Sequence, residues 1–304
     1  MDSIRTDEKI GQISTFSNFL LNILFLIITL ICVLPLLLVL IISITDEKEI
    51  LISGYSFFPK LLSLDAYSYI IAAGDVIWRA YGISILVTVL GTALSLLTIC
   101  MYAYPLSRNN FRYKTQFTFL AYFTMIFGGG LVPWYIVYTN LIPIRHTIWI
   151  LIVPYLMNAW YVIIMRTFYK ATIHDSIIES AKIDGAGEFR IFFQIVLPLC
   201  KAGLATIGLF CCLNYWNDWY LPLVFVTDNK LFNIQYLMYQ TLMAIQFLTS
   251  SSTSFSQAGK AVSDMPSEAA RMAIAILSIG PIILAYPFFQ RYFIKGLTVG
   301  AVKG

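Results

Sequence analysis

The stretch ESAKIDGAGEFRIFFQIVLP, residues 179–198, places charged residues in the middle of an otherwise apolar chain. Asp175 lies just before it, where the N-cap of a short helix is expected, and Glu179 follows in the first turns. Both carboxylates would lie at the positive end of that helix, which we predict to run to about Asp184. Gly185 permits the left-handed backbone conformation that ends a helix sharply. The pattern therefore predicts a short helix closed by a tight turn.

A second short helix is predicted after that turn. It begins near Glu188, includes Phe192, Phe193 and Ile195, and ends where Pro198 announces the next apolar segment. The result is a compact helix-turn-helix segment, charged on one side and apolar on the other, displayed on the water side of a membrane. The alternative is an amphipathic loop lying on the lipid surface. Four basic residues favour that alternative: Arg166, Lys170, Lys182 and Arg190.

The composition identifies an integral membrane protein. Of 304 residues, 59% are hydrophobic and 12% are charged, whereas soluble domains carry roughly 25% charged residues. No residue from 10 to 45 except the flanks is charged, more than the ~20 needed to cross the hydrocarbon core. This first block lacks a small-residue cleavage site, so we expect it to remain as an anchor. The single transmembrane domain, 1–304, is predicted to have six spans at about 17–44, 82–107, 115–142, 147–165, 202–227 and 270–290, with a loop at 166–201.

The distribution of basic residues predicts the orientation. With the N-terminus inside, the cytoplasmic segments hold thirteen of the 20 lysines and arginines, from Arg5 and Lys9 to Lys303. The short loop 108–114 alone carries three bases and no acid. Both termini and the loop 166–201 are therefore predicted to be cytoplasmic. The net charge of +4 reflects this topology, and no basic stripe interleaved with aromatics indicates a nucleic-acid partner.

The charged stretch also resembles a known motif. Its spacing is Glu179-Ser180-Ala181, three residues, Gly185, nine residues, then 195–198 as Ile-Val-Leu-Pro. This resembles the cytoplasmic coupling motif of ATP-driven bacterial import permeases, with Ser180 in place of the usual Ala. The resemblance assigns ATPase coupling to Glu179, Ser180, Ala181, Asp184, Gly185, Ala186, Ile195, Leu197 and Pro198.

The resemblance extends along almost the whole chain. It includes the outer loop 46–79, the glycine-rich segment 128–133, the stretch NYWNDW at 214–219, and the tail KGLTVGAVKG at 295–304. The chain is similar to the inner-membrane permeases of ABC transporters for carbohydrate uptake, on the MalG-like side and of the LplC/YtcP type. This resemblance implies an all-α type I importer permease with six transmembrane helices and a cytoplasmic helix-turn-helix coupling loop.

The same resemblance implies partners. The sequence has no G-x-x-x-x-G-K-[ST] loop to cradle phosphates, so we expect this chain to bind no cofactor and ATP with Mg to lie on separate ATPase subunits. The implied assembly pairs a homologous second permease subunit with two ATPase subunits and an extracellular solute-binding protein. Its substrate would be an oligosaccharide, and its location the bacterial plasma membrane, in contact with membrane lipid.

Polar residues in the predicted fifth span could line a substrate pathway. Asn214 and Asp218 are four residues apart and would share a helix face, with Asn217 beside them, roughly 18 to 24 Å from the cytoplasmic end. Trp216 and Trp219 add rings that stack on sugars. Interfacial aromatics and helix-to-helix hydrogen bonding explain the same residues, and we favour that structural interpretation. Gly129, in the Gly128–Gly130 run, could likewise line the pathway, although close helix packing is favoured.

Enzymatic chemistry finds little support in the sequence. The five cysteines show no C-x-x-C spacing, the two histidines fall on opposite sides of the membrane, and no catalytic or metal-binding residue is predicted. Two alternatives from other classes stay open. A stand-alone secondary carrier or channel for small polar solutes would need an ionisable relay in the spans, where only Asp218 comes near. A membrane-bound glycan-processing enzyme would act without ATP.

Overall fold

The computed structural model describes residues 14–72, 74–251, 268–280, 282–283 and 287. Within these ranges the chain is almost wholly helical and contains no strand, apart from one isolated antiparallel bridge between Thr45 and Leu62. The prediction of an all-helical membrane protein is confirmed at this level. The predicted basic N-terminus and the tail at 295–304 lie outside the described residues.

The described helices follow one another with short connections. They are α1 (Thr15–Ser43), α2 (Glu47–Ser53), α3 (Asp65–Ala72), α4 (Asp75–Ser107), α5 (Lys114–Ile126), α6 (Leu131–Ile136), α7 (Ala159–Thr172), α8 (Asp175–Ile183), α9 (Glu188–Ile191), α10 (Leu197–Leu199), α11 (Lys201–Trp216), α12 (Tyr220–Phe225), α13 (Ile234–Ser251) and α14 (268–280). Wider π-helical turns cover Val137–Leu141 and Phe192–Val196, and 3₁₀ turns cover Ile148–Leu151, Val153–Tyr155 and Asn229–Leu231.

The chain divides into two compact units. The first comprises residues 1–70 and 255–276, and the second comprises 71–254 and 277–304. In the first unit, the most apolar part of α1 is only 6% buried within the chain. Such a helix must be covered by lipid or by another chain, because its apolar side chains point in all directions.

The second unit is built on α4, with α7 and α11 packed along it. Glycines allow the closest approach. A Cβ atom added to Gly91 of α4 would lie 2.7 Å from the ring of Tyr215 in α11, and one added to Gly203 would lie 2.9 Å from the ring of Phe168 in α7. Only a residue without a side chain fits at these crossings.

Two described helices are long and apolar enough to cross a membrane, namely Phe16–Ser43 and Asp75–Ser107. Three further pairs of helical segments pass the same test together but are bent, which raises the number to as many as five. Their bends are 115° between 114–126 and 131–141, 55° between 148–155 and 159–172, and 85° between 188–199 and 201–216. The sixth predicted span, 270–290, is described only in part and is helical at 270–280, 282–283 and 287.

The predicted span 115–142 is not one straight helix. α5 ends at Ile126, and Gly130 has a positive φ of 81° before α6 begins. Added Cβ atoms on Gly128 and Gly130 would meet nothing within 4 Å, and one on Gly129 would meet only Pro133 at 3.8 Å. The expected close packing of these glycines is therefore wrong for this chain. Their role is conformational, because the break needs a residue that tolerates the left-handed region.

Candidate functional site

The segment 175–199, which we call the coupling segment, begins with α8. Its first helical residue is Asp175, and the N-cap is His174, whose side chain makes no capping hydrogen bond. The prediction of Asp175 as the N-cap is wrong by one residue. Its carboxylate instead accepts hydrogen bonds from Arg108 Nη1 at 3.1 Å and Asn109 Nδ2 at 3.0 Å. The acid still lies in the first turn, where it complements the helix dipole, and it ties α8 to the loop after α4.

The turn after α8 is set by Gly185, whose φ of 79° lies in the left-handed region, as the sequence predicts. The Gly185 N–H donates to the Lys182 carbonyl at 3.0 Å, and the Ala186 N–H donates to the Ala181 carbonyl at 2.9 Å. These two bonds form a complete Schellman motif, which satisfies carbonyls that a helix end otherwise leaves unpaired. The direction of the chain at this point is thus fixed by hydrogen bonds.

The second arm of the coupling segment is helical from 188 to 199 and meets α11 at an angle of 85°. It starts with Glu188, and its middle widens into a π-helical turn at Phe192–Val196. Pro198 lies inside the last helical turn, where its missing N–H costs least. The bend at Cys200 then directs the chain into the next apolar helix.

One side of the coupling segment is buried in the core of the second unit. Ile178, Ala181 and Ile191 are at most 7% exposed and share a hydrophobic cluster with residues of α4, α7 and α11. Tyr104 of α4 donates a hydrogen bond to Glu188 Oε2 at 3.1 Å. A displacement of the segment would therefore be transmitted to the long helices, since close-packed cores move as bodies.

An ion pair closes the segment on itself. Lys182 Nζ contacts Glu188 Oε1 across the turn. The hydrogen bond from Lys182 is the main cause that holds the pKa of the Glu188 carboxyl below its usual range. Both side chains are about half exposed, at 43% and 57%, so the pair adds little stability. It orients the two arms and leaves the overall fold to the buried residues.

The opposite side of the coupling segment is exposed and carries two large apolar side chains. Ile183 is 86% exposed and Phe189 is 72% exposed, one on each side of the turn. Charged residues surround them, including the exposed Glu179 and Asp184. Exposed apolar groups within a polar rim are typical of a protein interface. The sequence analysis did not single out Ile183 and Phe189; their signal was an apolar residue on each side of a charged turn.

The predicted coupling residues fall on both sides of this segment. Ala181 is buried and supports the core, whereas Ala186, Ile195 and Leu197 are half-buried. The remaining predicted residues are exposed: Glu179, Ser180, Asp184, Gly185 and Pro198. Sequence reasoning also missed Arg108 and Asn109, because nothing local connects the loop after α4 to a helix that begins 67 residues later.

Asp218, the acid predicted within the fifth span, lies in a break between helices. α11 ends at Trp216 and α12 begins at Tyr220, so Asn214 and Asp218 do not share one helix face, and that prediction is wrong. Asp218 Oδ1 accepts hydrogen bonds from the N–H groups of Tyr220 at 3.1 Å and Leu221 at 3.2 Å. Asp218 thus satisfies the amides that α12 would otherwise leave unpaired.

The break is fastened to neighbouring segments. Tyr155 Oη donates to Asp218 Oδ1 at 3.3 Å, and Asn233 Nδ2 donates to the Asp218 backbone carbonyl at 2.5 Å. Asn233 Oδ1 in turn accepts from the N–H of Tyr236 in α13. Asp218 is only 8% exposed. The arrangement supports the structural interpretation, because the carboxylate already has three donors.

A cleft of about 450 Å³ opens beside this break. The exposed side chains of Asn214, Asn217, Trp219 and Tyr220 face it, and Asp218 forms part of its wall. Trp216 lies elsewhere: it is 4% exposed, and its Nε1 donates to the Ser278 carbonyl at 2.9 Å. Gly129 does not line the cleft either. Four of the six predicted pathway residues are thus brought together, and amides beside aromatic rings suit the binding of hydroxylated ligands.

Within the part of the chain that the structure describes, no group of three His, Cys, Asp or Glu side chains could hold a metal ion. The five cysteines are free thiols, and only Cys32 is fully exposed.

Known proteins resemble the chain over nearly its full length. No protein-family model matches it. It is 37% identical to the polygalacturonan/rhamnogalacturonan transport system permease protein YtcP of Bacillus subtilis, over 92% of this chain and 95% of that protein. It is 33% identical to the protein LplC of the same organism, over 93% and 94% of the two chains. Among solved structures, it matches a chain of a bacterial ABC transporter involved in the import of the acidic polysaccharide alginate, with a TM-score of 0.77, 26% identity and coverage of 93% and 99%.

Proposed function

Because this chain belongs to the family of permease subunits of sugar ABC transporters, we propose that it forms one half of the membrane channel of an importer for oligosaccharides or related glycans. The other half would be a homologous permease subunit. Two ATPase subunits, which carry ATP and Mg, would bind on the cytoplasmic side, and an extracellular solute-binding protein would deliver the substrate. The protein would lie in the bacterial plasma membrane with both termini in the cytoplasm.

The observation that supports this proposal most strongly is the two-sided construction of the coupling segment. Ile178, Ala181 and Ile191 anchor one side in the core formed with α4, α7 and α11. Ile183 and Phe189 project from the other side into solvent. A protein bound to the exposed side can therefore move the long helices without unfolding the segment. ATP-driven closure of the ATPase pair would supply that movement.

The proposed substrate class is supported by two findings. YtcP is named for polygalacturonan and rhamnogalacturonan transport, and the solved neighbour imports alginate. In this chain, the cleft beside Asp218 presents the amides of Asn214 and Asn217 and the ring of Trp219. Amides hydrogen-bond to hydroxyl groups, and aromatic rings stack on sugar faces. The cleft is the part of this half that we assign to the substrate pathway.

A reconstituted assembly of both permeases, two ATPases and the binding protein tests the proposal. We expect oligosaccharides to stimulate ATP hydrolysis and to enter vesicles only when ATP is present. Glu179→Ala, in the coupling segment, should leave the protein in the membrane and abolish uptake. Asp65→Ala removes another exposed acid, on the predicted outer side, and should leave uptake unchanged.

Two results would contradict the proposal. Uptake driven by an ion gradient with this chain alone would identify a secondary carrier or channel. Undiminished uptake by Glu179→Ala would remove the assigned role of the coupling segment.

A further inference from the structure

The loop between α1 and α3 carries an exposed apolar patch that the transport function does not account for. We define the patch as Leu51, Ile52, Phe58, Leu61, Leu62 and Leu64. Their exposed fractions are 65%, 86%, 90%, 61%, 68% and 66%. All six lie in the first unit. Water-exposed patches of this kind are rare in proteins unless they bind something.

The loop is held in one conformation by backbone hydrogen bonds. The Asp46 N–H donates to the Leu61 carbonyl at 3.2 Å, and the Ser63 N–H donates to the Ile44 carbonyl at 2.9 Å. Glu49 accepts hydrogen bonds from the N–H groups of both Lys60 and Leu61. The apolar side chains are therefore displayed by a pre-organised scaffold, since these bonds tie both ends of the loop together.

Every carboxylate of α2 and its cap is turned towards backbone amides. Asp46 Oδ1 accepts from the Lys48 N–H at 2.9 Å, and the two oxygens of Glu47 accept from the N–H groups of residues 268 and 269 at 3.0 Å each. Glu49 is engaged as described above. The two lysines of the loop, Lys48 and Lys60, are exposed together with the apolar patch. The outward side thus combines apolar side chains with positive charge, while the negative charge is consumed internally.

The patch lies directly next to the end of a membrane span. α1 has 29 residues, which correspond to about 44 Å at ~1.5 Å per residue. A bilayer including its headgroups is about 40 to 45 Å thick, so the end of α1 lies at headgroup level. α2 begins three residues after Ile44. The apolar surface of α1 is therefore continuous in height with the apolar patch.

From this juxtaposition we infer that the loop 46–64 is an interfacial anchor, whose apolar patch inserts among the lipid headgroups and upper acyl chains of the leaflet where α1 ends. In the proposed orientation this is the outer leaflet. Aliphatic and aromatic side chains on one side of a short amphipathic segment, flanked by lysines, are suited to this region. The lysine ammonium groups would contact lipid phosphates while their stems lie along the apolar surface. Such an anchor would fix the height of α1 in the membrane.

Site-directed spin labelling tests this inference in the assembled transporter, reconstituted into vesicles of phosphatidylethanolamine and phosphatidylglycerol. Nitroxides are attached at Ile52→Cys or Phe58→Cys in a chain whose five native cysteines are replaced by serine and whose uptake is retained. Asn229→Cys is the control, because Asn229 is an exposed polar residue of another predicted outer loop. The measured quantity is the collision rate with oxygen relative to that with a water-soluble nickel chelate.

We expect this ratio to be several-fold higher at positions 52 and 58 than at 229, without the binding protein. Equal ratios at all three positions would overturn the inference, because the patch would then lie in water. A rise at 52 and 58 that occurs only after addition of the binding protein would also overturn it, by identifying a protein as the occupant. None of these outcomes depends on transport, so the inference can fail while the proposed function holds.

Discussion

Substitution of Gly185 tests how the turn of the coupling segment is made. The residue has a φ of 79°, and an added Cβ would meet nothing within 4 Å. Gly185→Ala therefore introduces no clash, and its cost is the conformational one of about 1–2 kcal/mol for a side chain in the left-handed region. A loss of that size shifts the balance between the ordered and opened turn by a factor of about 5–30.

Gly187 offers a matched control in the same turn. Its φ is −72°, and a Cβ added there also meets nothing within 4 Å. Gly187→Ala should therefore be close to neutral. Gly185→Asn should lie between the two, because Asn tolerates the left-handed region better than Ala, and Gly185→Val should be the most damaging.

Hydrogen exchange by mass spectrometry on the assembled transporter measures the effect directly. The amides of residues 185 and 186 close the Schellman motif, so their exchange should accelerate about 5- to 30-fold in Gly185→Ala and stay unchanged in Gly187→Ala. ATP-driven uptake should fall in the same order across the series. Equal exchange and equal uptake for the two alanine variants would refute the reasoning.

Three further predictions follow from the described contacts. Asp218→Ala should lower the thermal stability of the permease by about 0.5–2 kcal/mol, through loss of a helix cap, while Asp218→Asn retains the accepting oxygen and most of the stability; reduced uptake by a fully stable Asp218→Asn would instead indicate a role in the pathway. Gly91→Ala should cost about 1–3 kcal/mol by overpacking against the ring that it faces, whereas Gly82→Ala on the same helix, where a Cβ meets nothing within 4 Å, should be tolerated in a thermal-unfolding assay. Arg108→Gln and Asp175→Asn should each loosen the start of α8 by at most about 1 kcal/mol, and the double variant should show no added loss by hydrogen exchange.

The sequence predicted the local features whose causes are local. The break at Gly185 could be read from the sequence because only glycine suits that backbone conformation without strain, and the long charge-free block predicted α1 because its length and hydropathy decide the matter. The position of the N-cap at His174 differed by one residue from the prediction, since helix boundaries depend on neighbouring contacts such as that of Arg108 with Asp175.

The features that failed depend on tertiary contacts. An acid in an apolar span could equally continue a helix or cap the next one, and the partners Tyr155 and Asn233, which fasten Asp218 in a break, are distant in sequence. The Gly128–Gly130 run likewise gave no sign whether another helix would pack on it, because glycine serves both close packing and chain reversal. Only the packed structure distinguishes these alternatives.

The most direct test of the central claim is a photo-cross-linking measurement on Ile183, the most exposed apolar residue of the coupling segment at 86%. A photoreactive amino acid at this position, in membranes that contain the whole transporter, should cross-link to an ATPase subunit, and a membrane-impermeant reagent added to intact cells should fail to reach a cysteine placed there. Labelling of that cysteine from outside intact cells, or cross-linking to the extracellular binding protein, would contradict the account.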